Sequence, residues 1–394
     1  MYDVTILGGG IVGLASAYQL SLKNPALKIL VIEKESHVAM HQTGRNSGVI
    51  HTGIYYKPGS LKAQNCREGR LQLIRFCAEE EIPYEVCGKI IVATEQRELG
   101  SLQTIFERGQ ANGVRCNMIA ADRIRELEPH CAGIKGIHVP DAGIVDYRVV
   151  AERLMIRFLE RGGQIILGSK FIGSSLMPKG IIVRHEQGEV ESAYLINCCG
   201  LHSDRVAANC GHEPEGRIIP FRGEYFTLKP EATRLVKDLI YPVPQLEFPF
   251  LGVHFTRMVG GGVECGPNAV LAFAREGYHR TDIDLKELLS IFKFSGFRSL
   301  AKRYWKVGLG EMWRSISKSA FTRALQRLVP DIREEHLVPA DAGIRAQAIL
   351  PNGSLVDDFM IVNSERTMHV LNAPSPAATS CLSIGAEIVR RGGF

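Results

Sequence analysis

The sequence predicts an α/β protein built on a Rossmann-like dinucleotide-binding domain, with a second domain beside it. Three observations carry this. The opening segment "YDVTILGGGIVGLASAYQL" sets Gly8-Gly9-Gly10-Ile11-Val12-Gly13, a G-x-G-x-x-G pattern, between an apolar run Asp3–Leu7 and a helically spaced run Ile11–Leu20. An acid, Glu33, stands 20 residues past Gly13 in the next apolar run, "KILVIEKE". The chain has 394 residues, more than one hydrophobic core usually spans.

The glycines have separate tasks. Gly8 permits the tight turn, Gly10 lets backbone approach a pyrophosphate, and Gly13 lets the helix pack close to the strand. The helix start at Ile11 and Val12 offers N–H groups and a partial positive charge to phosphates. Glu33, with Lys34 beside it, is placed to accept hydrogen bonds from an adenosine ribose. A carboxylate there repels a 2′-phosphate, which disfavours NADP. The competing interpretation is a glycine-rich turn in an unrelated α/β protein, with Glu33 on a solvated strand end.

An NAD enzyme of this type usually continues with alternating strands and helices. This chain instead enters "RNSGVIHTGIYY", Arg45 to Tyr56, too rich in Gly and polar residues for a core strand and too apolar for a solvated loop. Further on, Tyr194–Asn197 reads as a strand ending in Cys198-Cys199-Gly200. Near the end, Ala373–Pro376 is a proline-punctuated loop, and Ala377 onwards reads as a helix with Thr379 and Ser380 in its first turn.

Composition narrows the function classes. Hydrophobic residues at 45% and charged residues at 23% are an ordinary globular balance. No apolar run approaches the roughly 18 residues of a membrane span. The N-terminus enters a strand at once, without a basic leader or cleavage site, so a cytoplasmic location is expected. Ten cysteines with no CxxC pair argue against a zinc site, and no metal is expected. Cys198 and Cys199, adjacent in an apolar run, suit reduced, buried thiols.

The net charge of +5 is mild, but residues 284–328 concentrate it. There, ten Lys/Arg face only Glu287 and Glu311 between Leu285 and Arg327, among both tryptophans of the chain, Trp305 and Trp313. The segment reads as two or three amphipathic helices broken near Gly296 and at Gly308–Gly310. Leu285, Leu288, Leu289 and Phe292 form a stripe, followed by Phe294, Phe297, Leu300, Tyr304 and Trp305. Either the stripe packs on the second domain, or the segment is a peripheral membrane surface. Nucleic-acid binding would also use clustered basic residues, but interleaved tryptophans suit a membrane surface at least as well, so no nucleic-acid partner is expected.

Together these segments resemble the D-amino-acid-oxidase superfamily of FAD enzymes along nearly the whole chain. "TGRNSGVIHTGIYY", "KPGSLKA", "PFRGEY", "LGVHFTR", "GIRAQ" and "NAPSPAATS" resemble its L-2-hydroxyglutarate dehydrogenase/oxidase branch, in a bacterial form. The resemblance implies FAD as the cofactor. It also implies a discontinuous FAD-binding domain, 1–85, 143–210 and 335–394, and an antiparallel-sheet α+β substrate domain covering the flavin, 86–142 and 211–334. The residues agree: "GKIIVATEQREL" reads as a strand leading away from the first βαβ unit, and Gly143–Leu167 returns as a βαβ element. "PFRGEYFTL" and "LGVHFTRMVGGGVECGP" read as strands of a second excursion.

On this resemblance Arg45, Asn46 and Ser47 bond the FAD phosphates and ring edge, Gly200 lets the chain pass the cofactor, and Pro376, Ala377 and Thr379 stand by the flavin ring. His51 then sits near the reactive face. It could be the base or a substrate contact, a point of covalent flavin attachment, or a structural histidine satisfying carbonyls. His254 is the rival base, on a strand with Leu251, Val253 and Phe255 on one face and Gly252, His254 and Thr256 on the other. Arg345, in "ADAGIRAQ", corresponds to the arginine that binds the substrate's acid group, where a guanidinium makes two parallel bonds to a carboxylate. Arg222 and Tyr225 contact a second carboxylate, shape the pocket, or lie on an exposed strand.

The implied reaction oxidises L-2-hydroxyglutarate, a dicarboxylate 2-hydroxy acid, to 2-oxoglutarate, with electrons passing to a quinone or oxygen. An amine oxidase of the same fold is the alternative. A histidine base is needed for an alcohol more than for a neutral amine.

Overall fold

In the computed structural model the structure describes residues 1–244 and 252–394. Its first sheet has a parallel centre, running 164–166, 29–32, 2–7, 192–197 and 367–372. The antiparallel strands Phe171–Met177 and Gly180–His185 extend it through the first half of Gly188–Asn197, and Met360–Asn363 extends it beyond Thr367–Asn372. The strand Tyr2–Leu7 buries both faces, as a parallel strand covered on two sides must. Val4 and Ile6 pack with Leu20 and with Ile384 and Ile388 of the last helix; Leu7 packs on the opposite side with Leu30, Ile32 and Val206. The helix Ile11–Lys23 packs against Tyr147–Glu160 and Cys381–Gly392.

The second sheet has nine strands and, as expected, is almost wholly antiparallel. Among the described residues, its one parallel pair joins Lys89–Ala93 to Leu239–Pro242. Lys89–Ala93 shows the period-2 pattern of a strand between two cores: Ile90 and Val92 pack with Phe255 and Phe321, while Ile91 and Ala93 pack with Leu102 and Tyr241. A small third sheet joins Val49–Ile50, Gly143–Val145 and Tyr84–Glu85.

Several sequence expectations change here. Gly143–Leu167 is a strand, helix and strand, but its two strands lie in different sheets, so the unit is not a βαβ crossover. Leu337–Ile349 pairs along its length with Arg217–Leu228, so Arg345 stands in the second sheet. The last helix begins at Cys381, and Thr379 and Ser380 precede it in a turn. Leu251 lies outside the described residues.

The basic segment forms Leu285–Lys293, Ser295–Ile316 and Lys318–Gln326. The first break falls at Phe294. Gly308 and Gly310 do not interrupt the second helix, whose only irregular backbone is at Tyr304. The stripe also divides. Leu285, Leu289 and Phe292 face outward, while Ile291 and Phe297 pack on Ile219 and Ile349.

Candidate active site

A cavity of about 620 Å³ opens at the carboxyl ends of the parallel strands, the position where open α/β sheets bind ligands. Gly8, Gly10, Ile11, Val12, Glu33 and Lys34 line it. A Cβ on Gly10 would meet only the Thr43 hydroxyl, at 3.5 Å, and a longer side chain would fill the cavity. Gly13 does not line it. Its Cβ would fall 2.0 Å from the Gly8 carbonyl, so Gly13 serves the strand–helix contact. The first turn of Ile11–Lys23 carries no acid, and the Ile11 N–H donates to the Thr43 hydroxyl at 3.0 Å. Glu33 is buried and accepts from the Gly9 N–H at 2.5 Å and the Glu35 N–H at 2.9 Å.

The loop after the second strand is held by its own polar groups. Arg45 lies over the Tyr278 ring, 4.2 Å from its centroid. Asn46 lines the cavity, but its amide group donates to the Gln42 and Thr43 carbonyls and its oxygen accepts from the Gly48 N–H. Its side chain therefore shapes the loop. Ser47 and Gly200 also line the cavity. The His51 N–H donates to the Thr379 hydroxyl at 3.1 Å, and that hydroxyl also bonds Tyr147 at 2.7 Å. Thr379 thus ties the histidine loop to the C-terminal turn, where Pro376 and Ala377 line the cavity. Among the described residues nothing bonds the His51 ring.

The second sheet supplies the rest of the wall. Phe221, Gly223 and Tyr225 face the cavity on alternate positions, and Arg345 and His254 join them. Arg222 has the opposite parity. It is 3% exposed, donates to the carbonyls of Gly277 and His279 at 3.4 and 3.2 Å, and pairs with Glu224 at 3.2 Å. Its guanidinium holds the chain behind the wall, and Arg222 is not among the residues lining the cavity. His254 also lies on the face expected of it, since Val253 and Phe255 enter the core. Its Nδ1 lies 3.0 Å from the Gly252 carbonyl, so Nδ1 carries the proton and Nε2 is the acceptor. Its ring stacks on Tyr241, with centroids 3.9 Å apart.

Burial draws the His51 imidazole down to about 3, with Lys89, His254 and Lys62 adding to the effect. Burial also draws His254 down to about 4, opposed by the Gly252 carbonyl and aided by Lys89. Both rings are neutral at pH 7. Arg345 is pulled below the ordinary guanidinium value by burial and pushed back by Asp357.

Sequence reasoning missed Lys89, Tyr241 and Thr43. Lys89 left a signal, a lone lysine opening an apolar strand. Thr43 left none, because it caps a helix that starts 32 residues earlier in the chain.

This fold and cavity define a flavin-dependent oxidoreductase. The family model of the FAD-dependent oxidoreductases (DAO) matches residues 3–391, and the chain belongs to that family. It is 52% identical over 389 residues to the L-2-hydroxyglutarate dehydrogenase of Indibacter alkaliphilus, covering 98% of each chain. It is 47% identical over 392 residues to the L-2-hydroxyglutarate dehydrogenase of Escherichia coli K12, covering 99% of this chain and 93% of the other. The human mitochondrial L-2-hydroxyglutarate dehydrogenase is 44% identical over 405 residues, with 98% and 88% covered. Among solved structures, an FAD-bound L-α-glycerophosphate oxidase from Mycoplasma pneumoniae superposes with a TM-score of 0.81 at 21% identity, covering 100% and 95%. The cradle fits the FAD that the family uses: an open Gly10, a helix N-terminus without acids and a carboxylate at Glu33.

Proposed function

We propose that this protein oxidises L-2-hydroxyglutarate to 2-oxoglutarate. The observation that carries the proposal is one guanidinium, Arg345, and one imidazole with both ring nitrogens available, His51, lining the same cavity as the dinucleotide cradle. FAD, held by the cradle around Gly10 and Glu33, would supply the hydride acceptor for this oxidation. Arg345 pairs with the carboxylate next to C2 and so orients that carbon. His51 takes the hydroxyl proton on a ring nitrogen. In the free site it is a weak base, but a bound dicarboxylate brings negative charge beside it and raises its proton affinity toward working pH. Tyr225 and Tyr241 shape the wall, and His254, held at Nδ1, is the second proton acceptor.

The test is anaerobic bleaching of the flavin by each enantiomer of 2-hydroxyglutarate, with lactate and glycine as comparisons. Rapid bleaching by the L enantiomer alone is expected. Faster bleaching by glycine would point to the amine oxidase.

The electron acceptor we propose is a quinone, reached at a membrane surface. No described helix is long and apolar enough to cross a membrane. Yet Leu285, Leu289, Trp305, Leu309, Trp313 and Ile316 are between 56% and 70% exposed, in the same segment as its ten Lys/Arg. Apolar side chains in a basic setting suit an anionic interface. Cosedimentation with anionic vesicles is expected. It should weaken with salt and with Lys302→Glu, Arg303→Glu and Lys306→Glu combined. A protein that ignores such vesicles at low salt would remove the membrane part of the proposal and leave the chemistry intact.

A further inference from the structure

Lys89 opens the strand Lys89–Ala93 at 2% exposure. Among the described residues its Nζ has no hydrogen-bond partner. It lies 4.7 Å from the ring centroids of both Tyr55 and Tyr241. Burying an ammonium without a carboxylate is costly, and ring faces return only a part of that cost. A lysine serving packing alone would be replaced at no loss by an apolar residue, so its position calls for a function.

The sheet register shows what it stands behind. Ile91 pairs with Tyr241, so Lys89, two residues earlier, shares the face of Tyr241. On the other side Leu239 and Ile240 pair with Thr256 and Phe255, which makes His254 the cross-strand neighbour of Tyr241. Lys89, Tyr241 and His254 therefore form a row on one face of the sheet. Tyr55, the second ring on Lys89, belongs to the segment that carries His51. His254 is thus linked to the buried cation through the stacked Tyr241 ring, while the Tyr55 ring on Lys89 stands four residues after His51 in the chain.

We propose that Lys89 is a positioning residue, a fixed positive charge behind the site that adds to burial in disfavouring protonation of His51 and His254 before the substrate's hydroxyl proton arrives. This rests on the oxidation of a 2-hydroxy acid argued above. Lys89 gives and takes no proton in the step: the hydroxyl proton goes to the imidazole, and the hydride leaves C2 for FAD. Burial draws Lys89 down to about 8, opposed by Cys66, so it keeps its charge at neutral pH. The other groups facing the pair are few. Lys62 faces His51 but is itself paired with Asp357 at 3.0 Å. Glu264, raised to about 7 by burial, faces Tyr241, and the Cys66 thiol, raised to about 12, faces Lys89. Among the described residues, Lys89 is the charged group common to both histidines at neutral pH.

The experiment is an NMR titration of ¹³C-labelled histidine in the oxidised, FAD-loaded protein. The His51 and His254 signals are identified by their loss in His51→Asn and His254→Asn. In the wild type both rings should stay neutral below pH 5. Lys89→Met should raise both midpoints by about one pH unit, the size of a nearby charge at moderate dielectric, and Lys89→Arg should restore them. The acid limb of flavin reduction by L-2-hydroxyglutarate should move with the midpoints. A lysine that merely supports the fold would leave the midpoints of a folded Lys89→Met protein where they were, and that result overturns the proposal. Should Lys89→Met not fold, Lys89→Gln makes the same comparison. A wild-type His51 midpoint near 6.5 refutes the proposal without any variant. If L-2-hydroxyglutarate leaves the flavin oxidised while the midpoints still respond to Lys89, the substrate assignment fails and the electrostatic role stands.

Discussion

At the scale of single residues, the site separates groups that face the cavity from groups that hold them in place. Gly10 faces it, with open space where a side chain would be. Gly10→Leu should yield a folded, colourless protein, checked by the flavin absorbance of the purified chain. Gly9 looks equivalent in the motif but is not. Its Cβ would press on the Glu33 side chain at 3.0 to 3.2 Å, so Gly9→Ala should disturb Glu33 before it touches a pyrophosphate. His51→Ala removes a ring that bonds no described residue, so FAD should remain bound. Flavin reduction should slow about 100-fold or more, the usual size of a general-base contribution, in anaerobic stopped-flow. If reduction runs at the normal rate, His254 is the base.

At the scale of elements, strand parity decides roles that residue type leaves open. Arg222 and Arg345 are both arginines on paired strands, Arg217–Leu228 and Leu337–Ile349. Only Arg345 lines the cavity; Arg222 holds the carbonyls of Gly277 and His279 from the other face. Arg345→Met should raise KM for the hydroxy acid and slow flavin reduction while the melting temperature changes little. Arg222→Met should do the reverse, lowering Tm by several degrees because it leaves the Gly277 and His279 carbonyls short of a buried donor.

At the scale of the whole molecule, the two sheets enclose titratable groups in a space between them, and this gives stability a pH dependence. His51 and His254 are held near 3 and 4 in the fold, below the ordinary 6.5. The unfolded chain therefore binds more protons in acid, and stability falls as pH drops from 6.5 toward 3. Glu264 has the opposite sign. It is raised from 4.5 to about 7, so it loses stability as pH rises through that window. In melting curves across pH, His51→Asn should flatten the acid limb. Glu264→Gln should raise Tm above pH 7 by about 2 °C or more. Unchanged curves would mean that water reaches these groups in the folded protein.

What the sequence by itself determined is local in origin. The first strand, the glycine turn, the helix from Ile11 and the acid at Glu33 are legible because each follows from spacing within one short segment. The second excursion and the neighbouring basic helices are legible for the same reason. The long motifs around His51 and Arg345 pointed to a flavin enzyme before any contact was known. Only the tertiary structure decided the rest. It moved Leu337–Ile349 into the second sheet, turned Arg222 away, and put Thr379 in a turn before the last helix. It also brought Lys89 behind two histidines that lie 38 residues before it and 165 residues after it in the chain. The physical reason is that spacing along a chain sets which face of its own element a residue occupies. What that face meets depends on strand pairings between distant segments, and those exist only once the whole chain has closed on itself.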